Sequence, residues 1–235
     1  MSKIVSIIIP VFNEEKYIKE ILNKINLNKK INKEIIVVDD GSTDGTKNII
    51  IHECKKLYSK AIFLNKNFGK GYALRKGFEV ASGEIFLIQD ADLEYDPQDY
   101  EKLLYPILYE EKKVVYGSRI IKGGYRTRPS SGDTYIRIFA NYFLTFLSNF
   151  FNNQKLTDAH TCYKVFDKNI LLKFELKENG FNFCPEITAK ISKLGITIHE
   201  VPINYYGRTH DQGKKISFFD GFRAIYAILK YNIFK

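Results

Sequence analysis

Three short apolar runs, each rich in β-branched or aromatic residues and each trailed by carboxylates, restrict the possible folds of this chain more than any other feature. They are Val5-Ser6-Ile7-Ile8-Ile9-Pro10-Val11 ahead of Asn13-Glu14-Glu15, Glu34-Ile35-Ile36-Val37-Val38 ahead of Asp39-Asp40, and Glu84-Ile85-Phe86-Leu87-Ile88-Gln89 ahead of Asp90. Runs this short and continuous fit strands covered on both faces, the environment of a parallel sheet. Between them the period changes. Tyr17, Ile18, Ile21, Leu22 and Ile25 recur at helical spacing behind the start signal Asn13-Glu14-Glu15, a second helix is expected from about Thr46, and Gly71 to Val80 reads as a third. Ala61-Ile62-Phe63-Leu64 supplies a further strand. The alternation predicts an α/β fold, an open and mostly parallel sheet flanked by helices. Ligands of such sheets sit beyond the carboxyl ends of the strands, where the polar clusters of this chain fall.

After Val114-Val115-Tyr116-Gly117, another strand, the character changes. Gly123 to Asp133 is a Gly-, Ser-, Arg- and Pro-rich loop, Ile136 to Phe151 an aromatic helix of weak amphipathicity, and Val165 to Asn179 a mixed segment. Pro185 to Leu194 reads as helix, Ile196 to Ile203 as strand, and Ser217 to Lys235 alternates aromatics with Arg223, Lys230 and Lys235. No repeat or linker divides the chain, so residues 1–235 are expected to form one domain with halves 1–119 and 120–235.

Lys and Arg outnumber Asp and Glu by 36 to 27, a formal charge of +9, which suits an anionic partner: nucleic acid, a membrane surface or small phosphates. The basic residues are dispersed and no nucleic-acid-reading motif is present, so nucleic acid is not expected. A hydrophobic fraction of 45% excludes disorder. No apolar run approaches the ~18 residues of a membrane span, and the first ten residues lack the pattern of a signal peptide. Cys54, Cys162 and Cys184, odd in number and widely spaced, fit a reduced cytoplasmic setting rather than a zinc or disulfide framework.

The chemistry concentrates at strand ends. In Asp90-Ala91-Asp92-Leu93-Glu94, alternate acidic side chains can converge on a hard divalent cation and leave coordination places for diphosphate oxygens; the same pattern also serves as a helix cap or solvated turn. Asp39-Asp40-Gly41-Ser42-Thr43-Asp44-Gly45 resembles a calcium loop, but the twelfth position falls on Ile50 or Ile51 instead of Glu, which leaves a capped turn, alone or with another of its residues recognising a base or ribose. Asn67-Phe68-Gly69-Lys70-Gly71 lacks both the P-loop ending and the third glycine of a dinucleotide fingerprint, leaving a tight basic turn that a ligand can approach closely.

Taken in order, Pro10-Val11-Phe12-Asn13-Glu14, Val37 to Asp44, Asn67 to Gly77, Asp90-Ala91-Asp92 and Gly117-Ser118-Arg119 resemble the family 2 glycosyltransferases with the GT-A nucleotide-sugar fold. Thr157-Asp158-Ala159-His160-Thr161-Cys162-Tyr163-Lys164 is similar to the branch containing dolichyl-phosphate mannose synthases and polyprenyl-phosphate glycosyltransferases. The resemblance implies that Pro10, Phe12 and Glu14 line a nucleoside pocket, with Asp40 near the base and Lys70 near base or ribose. It implies that Asp90 contacts ribose or metal and that Asp92 binds Mg²⁺ or Mn²⁺ bridging the donor diphosphate. Glu94 falls where related synthases use Gln as a further metal ligand. Arg119 then faces the acceptor phosphate, Arg137 substitutes for the Arg and Ser expected before Asn141, and Arg208 with Lys214 or Lys215 closes over the diphosphate. Cys162 stands where the branch carries Gly, and Lys164 where it often carries Arg. These departures fall on the acceptor side.

The expected activity is inverting transfer of a hexose from a UDP- or GDP-sugar to a polyprenyl phosphate, by an enzyme held peripherally at the cytoplasmic face of the membrane. A phosphate acceptor is already ionised and needs positioning only. A lipid or glycan hydroxyl, the alternative acceptor, needs a base, for which Asp158 is the first candidate. His160 is either an assistant or a hydrogen-bonded structural residue, and Glu186 is a secondary site candidate. The Phe139 to Leu147 run is either core or an apolar platform at the membrane surface, and the aromatic C-terminal helices also suit a homodimer. The non-enzymatic alternatives are a basic nucleic-acid- or membrane-binding module and a nucleotide-sugar sensor.

Overall fold

The computed structural model describes residues 3–127, 132–208 and 218–234, with the side chains of 127, 132–137 and 218 outside that description. The apolar runs form the expected strands β1 (Val5–Val11), β2 (Lys33–Asp39), β3 (Lys60–Phe63), β4 (Ile85–Ile88) and β5 (Val114–Ser118). Between them lie α1 (Ile18–Leu27), α2 (Thr46–His52), α3 (Lys70–Val80) and, after a 3₁₀ turn at Pro97–Asp99, α4 (Tyr100–Tyr109). The second half adds β6 (Arg126–Thr127), α5 (Gly132–Asn152), β7 (Lys164–Asp167), α6 (Lys168–Leu171), α7 (Phe183–Lys193), β8 (His199–Pro202), β9 (Tyr205–Tyr206) and α8 (Phe218–Asn232).

One seven-stranded sheet runs in the order β3-β2-β1-β4-β7-β5-β8. Strands β1 to β4 are parallel, with Ile7 opposite Ile35 and Leu87, so the ends of β1, β2 and β4 open on one side. Strand β7 lies antiparallel between β4 and β5, pairing Phe166 with both Phe86 and Val114. The mixed segment at 165–179 thus contains a central strand. Its four residues are too few to show a period, and their burial comes from neighbours distant in sequence.

The core is continuous from Val5 on β1 to Ile187 and Ile191 on α7. Helix α3 lies close on the sheet because Gly77 has no side chain: a Cβ there would stand 2.4 Å from Ile8 Cγ2. At the opposite edge of that contact, Phe78 stacks on Phe86 at 5.4 Å between ring centroids. The buried Glu34 carboxylate ties strand starts together, accepting hydrogen bonds from Ser6 Oγ (2.5 Å), Ser82 Oγ (2.8 Å) and the backbone N–H of Gly83 (2.9 Å). These donors hold its pKa at about 2 against the opposing effect of burial. Among the described residues, no helix is long and apolar enough to cross a membrane.

Candidate active site

The chain turns tightly at the carboxyl ends of β1 and β2, and the two turns are stitched to each other. Asn13, at a left-handed φ of 52°, donates its backbone N–H to Ser42 Oγ at 2.9 Å and accepts from the Thr43 N–H at 2.8 Å. Glu14 N–H donates to Thr46 Oγ1 at 2.8 Å, so the start of α2 positions Glu14. Pro10 stands opposite Val38, one residue before the β1 ladder ends at Val11, and Phe12 follows the strand half-buried. Asp40 accepts from the N–H groups of Phe68 (2.9 Å) and Gly69 (2.8 Å), which makes it the clasp of the 67–71 turn. Burial pushes its carboxyl up, and those two N–H groups oppose the shift.

That turn starts α3 and delivers Lys70. Its Nζ lies 2.5 Å from Asp90 Oδ1 and 3.5 Å from Cys162 Sγ. Burial disfavours the charge, but Asp90 outweighs it and raises the lysine's pKa. Gly69 (φ 103°) and Gly71 are pressed against the carbonyls of Asn179 and Glu178, where a Cβ would come within 2.5 and 2.3 Å. Glu186 holds this covering loop by accepting from the N–H groups of Lys177 (2.7 Å) and Glu178 (2.8 Å), so it acts as a loop support on α7.

The Asp90–Glu94 turn pivots at Leu93, with a positive φ of 61°. Asp92 Oδ2 accepts from Arg208 Nη2 at 2.8 Å, while Arg208 Nη1 reaches Glu14 Oε2 at 3.1 Å. One guanidinium therefore bridges carboxylates from the ends of β1 and β4. Glu94 accepts from the Arg208 backbone N–H at 2.7 Å and from the Tyr205 hydroxyl at 2.9 Å, fastening β9 to the turn. Burial, then the charges of Asp90 and Glu94, push the Asp92 carboxyl up to about 7, with Arg208 pulling the other way. Among the described residues no three His, Cys, Asp or Glu side chains converge on a common metal position. The donors nevertheless suit a hard divalent cation shared with a diphosphate: Asp92 and Asp90 supply carboxylate oxygens, and the surplus negative charge already holds a cationic side chain.

Arg119 at the end of β5 meets Asp158 in a bidentate pair, Nε to Oδ2 at 2.6 Å and Nη2 to Oδ1 at 2.8 Å. Asn141 on α5 donates to Asp158 Oδ1 at 3.2 Å, and the Tyr205 ring lies 5.1 Å from the guanidinium carbon. Asp158 is fully buried; burial alone would raise its pKa, but Arg119 and the hydrogen bonds bring it down to about 2. Glu200 on β8 accepts from the N–H groups of Thr157 (2.6 Å) and Asp158 (2.9 Å) and so locks the loop that carries Asp158. His160 is held neutral, its pKa lowered to about 4 chiefly by burial, and its Nε2 makes no hydrogen bond. Lys164 is buried beneath the same loop, donating to the carbonyls of Thr161 (2.6 Å) and Ala159 (3.1 Å) over the Tyr116 ring.

The expected residues Glu14, Lys70, Asp90, Asp92, Glu94 and Arg208 are thus linked on one side of the site, and Arg119 and Asp158 on the other. Arg137 belongs to α5 by its backbone, but its side chain, like Lys214 and Lys215, lies outside the described residues. Tyr205 joins the two sides, and its sequence context, a Tyr-Tyr pair after a strand, carries no spacing signal for that task. Asn141 and Glu200 reach Asp158 from 17 and 42 positions away, beyond any local motif.

A mostly parallel sheet with acidic turns at its carboxyl edge and helices on both faces is the architecture of the GT-A glycosyltransferases. Solved structures agree. Glucosyl-3-phosphoglycerate synthase from Mycobacterium tuberculosis, in complex with Mn²⁺, UDP-glucose and phosphoglyceric acid, superposes with a TM-score of 0.75 at 18% identity, over 97% of this chain and 79% of that one. The family model Glycosyl transferase family 2 matches residues 6–174, and this chain belongs to that family as a glycosyltransferase. Among curated relatives, the UDP-N-acetylglucosamine–dolichyl-phosphate N-acetylglucosaminyltransferase of Methanococcus voltae is 29% identical over 99% of this chain and 98% of its own length. The dolichol-phosphate mannosyltransferase of Pyrococcus furiosus is 31% identical over 97% of this chain, which spans 64% of that enzyme.

Proposed function

We propose that this glycosyltransferase moves a hexose from a UDP- or GDP-sugar to the phosphate of a polyprenyl phosphate, with Mg²⁺ or Mn²⁺, at the cytoplasmic face of a membrane. The observation that carries the reading is the Arg119–Asp158 pair. Both Asp158 oxygens are committed to Arg119, and its carboxyl is held at about 2, so it is a poor proton acceptor. The Nε–Nη2 edge of Arg119 is spent on Asp158, so the site offers the remaining Nη1–Nη2 edge of a fixed cation rather than a base. That suits an acceptor that arrives ionised, since a planar guanidinium recognises phosphate by paired, charge-assisted hydrogen bonds. The names of the Methanococcus and Pyrococcus relatives point to the same acceptor class.

On this reading Glu14, Lys70 and the turns after β1 and β2 bind the nucleoside, and Arg208 faces the growing charge of the leaving diphosphate. A divalent cation on Asp92 and Asp90 would supply Lewis-acid stabilisation of that charge. Arg119 orients the acceptor phosphate for attack opposite the leaving group, which inverts the anomeric centre. Membrane contact is assigned to the exposed aromatics of α5 and α8, including Phe139, Phe146, Phe150, Phe222 and Tyr226. Asn141 on the same α5 touches Asp158, so a lipid whose phosphate sits at Arg119 has a short path to that surface.

The decisive experiment incubates the purified chain with UDP- and GDP-hexoses, Mn²⁺ and either a polyprenyl phosphate or the matching polyprenol. Labelled lipid is expected from the phosphate alone, and Arg119→Lys should lower the rate ~100-fold or more, as expected when a bidentate contact is lost. Product from the polyprenol, with none from the phosphate, would replace this reading by a hydroxyl acceptor.

A further inference from the structure

We propose that Arg208 and the divalent cation are alternative partners of Asp92, and that the donor diphosphate resolves the competition by drawing Arg208 onto itself. This inference rests on the reading above and adds an order of binding: metal enters with the nucleotide rather than ahead of it.

The geometry supplies the conflict. Asp92 Oδ2 is taken by Arg208 at 2.8 Å, and Oδ1 accepts the Glu94 N–H at 3.1 Å. The neighbouring Asp90 Oδ1 is held by Lys70 at 2.5 Å. A cation bonded to Asp92 would therefore displace the guanidinium or stand against its positive charge, in a place where Arg208 and Asp92 are both largely shielded from water. The guanidinium is also shared with Glu14 at 3.1 Å and lies 5.3 Å from the centre of the Tyr17 ring. Loss of Asp92 thus leaves Arg208 with partners on the nucleoside side.

The backbone makes such an exchange a side-chain event. Glu94 anchors the Arg208 N–H at 2.7 Å, the Tyr205 hydroxyl braces Glu94 at 2.9 Å, and the Tyr206 N–H donates to the Glu94 carbonyl at 2.8 Å. The guanidinium can turn from carboxylate to phosphate while its Cα stays fastened to the turn that bears Asp92. Glu94 is, in this arrangement, a positioning residue that sets where Arg208 begins. A diphosphate offers the freed guanidinium new anionic oxygens, so metal and nucleotide help each other bind by sharing the cost of moving one side chain.

The test measures Mn²⁺ binding to the full chain by the electron paramagnetic resonance of free Mn²⁺, without nucleotide and with UDP or GDP. Arg208→Gln and Arg208→Met remove the charge, the latter keeping an apolar stem against Tyr17; Arg208→Lys keeps the charge. Without nucleotide, the uncharged variants should bind Mn²⁺ at least tenfold more tightly than the parent, and Arg208→Lys should stay within a few-fold of it. With nucleotide the advantage should vanish. Thermal melts with and without Mn²⁺ establish that each variant is folded and should show a larger Mn²⁺-induced rise in Tm for the uncharged pair. Equal or weaker Mn²⁺ binding by folded Arg208→Met without nucleotide would overturn the inference and leave the proposed function standing. A parent chain that binds Mn²⁺ under neither condition would remove both.

Discussion

Asp158 and Glu34 are two buried carboxylates with pKa values held at about 2, by different means and for different ends. Glu34 is surrounded by hydroxyl and backbone donors and fastens the sheet, whereas Asp158 answers the Arg119 guanidinium first, with Asn141 beside it, and fastens a functional group. Replacing Asp158 by Asn would leave Arg119 buried beside a neutral amide, a loss on the order of 3–5 kcal/mol by analogy with other broken buried pairs. Asp158→Asn is expected to lower Tm and transferase turnover together, whereas Asp92→Asn should abolish metal-dependent turnover with little change in Tm; calorimetry and a lipid-product assay separate the two. For Glu34 the folded pKa lies below the ordinary 4.5, so its stabilisation is complete above pH 4.5 and is lost as the pH falls toward 2. That shift corresponds to about 3 kcal/mol at neutral pH, and Glu34→Gln should flatten the acid limb of a Tm–pH curve. Asp90, Asp92 and Arg119 stand out in the sequence because each lies in a short motif just after a strand, and Asp158 because it falls in the Thr157–Lys164 run ahead of β7. The backbone N–H groups that Glu94 and Asp40 bind could not be read there, because a carboxylate that binds a backbone N–H and one that binds a ligand look alike in a linear pattern.

Helix α5 presents its residues in reverse of the usual order. Its inner stripe holds Thr145, Ser148 and Asn152 beside Leu144, while Phe139, Phe146 and Phe150 on the outer stripe are 72%, 64% and 72% exposed. The helix is as amphipathic as α4 or α7, against the expectation of weak amphipathicity, and its direction could not be read, because hydrophobicity is expected to point inward. Helix α8 extends this surface with Phe219, Phe222 and Tyr226, next to the exposed Arg223. If these rings meet a bilayer, the triple change Phe139→Ser, Phe146→Ser and Phe150→Ser should leave Tm within a few degrees and abolish flotation with anionic vesicles. A change in sedimentation of the free protein instead would assign the surface to self-association. Helix α3 offers the opposite case. Gly77→Ala drives a methyl into Ile8 on β1, and a loss of about 1–3 kcal/mol is expected in urea unfolding.

At the scale of the molecule, the expected division at residue 119 does not coincide with any division of the sheet. Residues 164–167 of the second half form β7, hydrogen-bonded to β4 on one side and β5 on the other. The run of alternating strands and helices made the β1–β4 region legible as a parallel sheet. It could not reveal β7, whose four residues gain their meaning from two partners far away in sequence. A fragment of residues 1–119 is accordingly expected to lack cooperative unfolding and to bind a dye for exposed apolar surface, despite carrying the whole ordered motif set up to Arg119. The same interleaving bears on how the chain is made. Ile85–Ile88 leaves the ribosome well before Lys164–Asp167, an interval of several seconds at roughly 5–20 residues per second. Throughout it, the side of β4 that pairs with β7 has no native neighbour. Trigger-type chaperones that shield apolar nascent segments should therefore raise the soluble yield, and slow translation between these two strands should lower it.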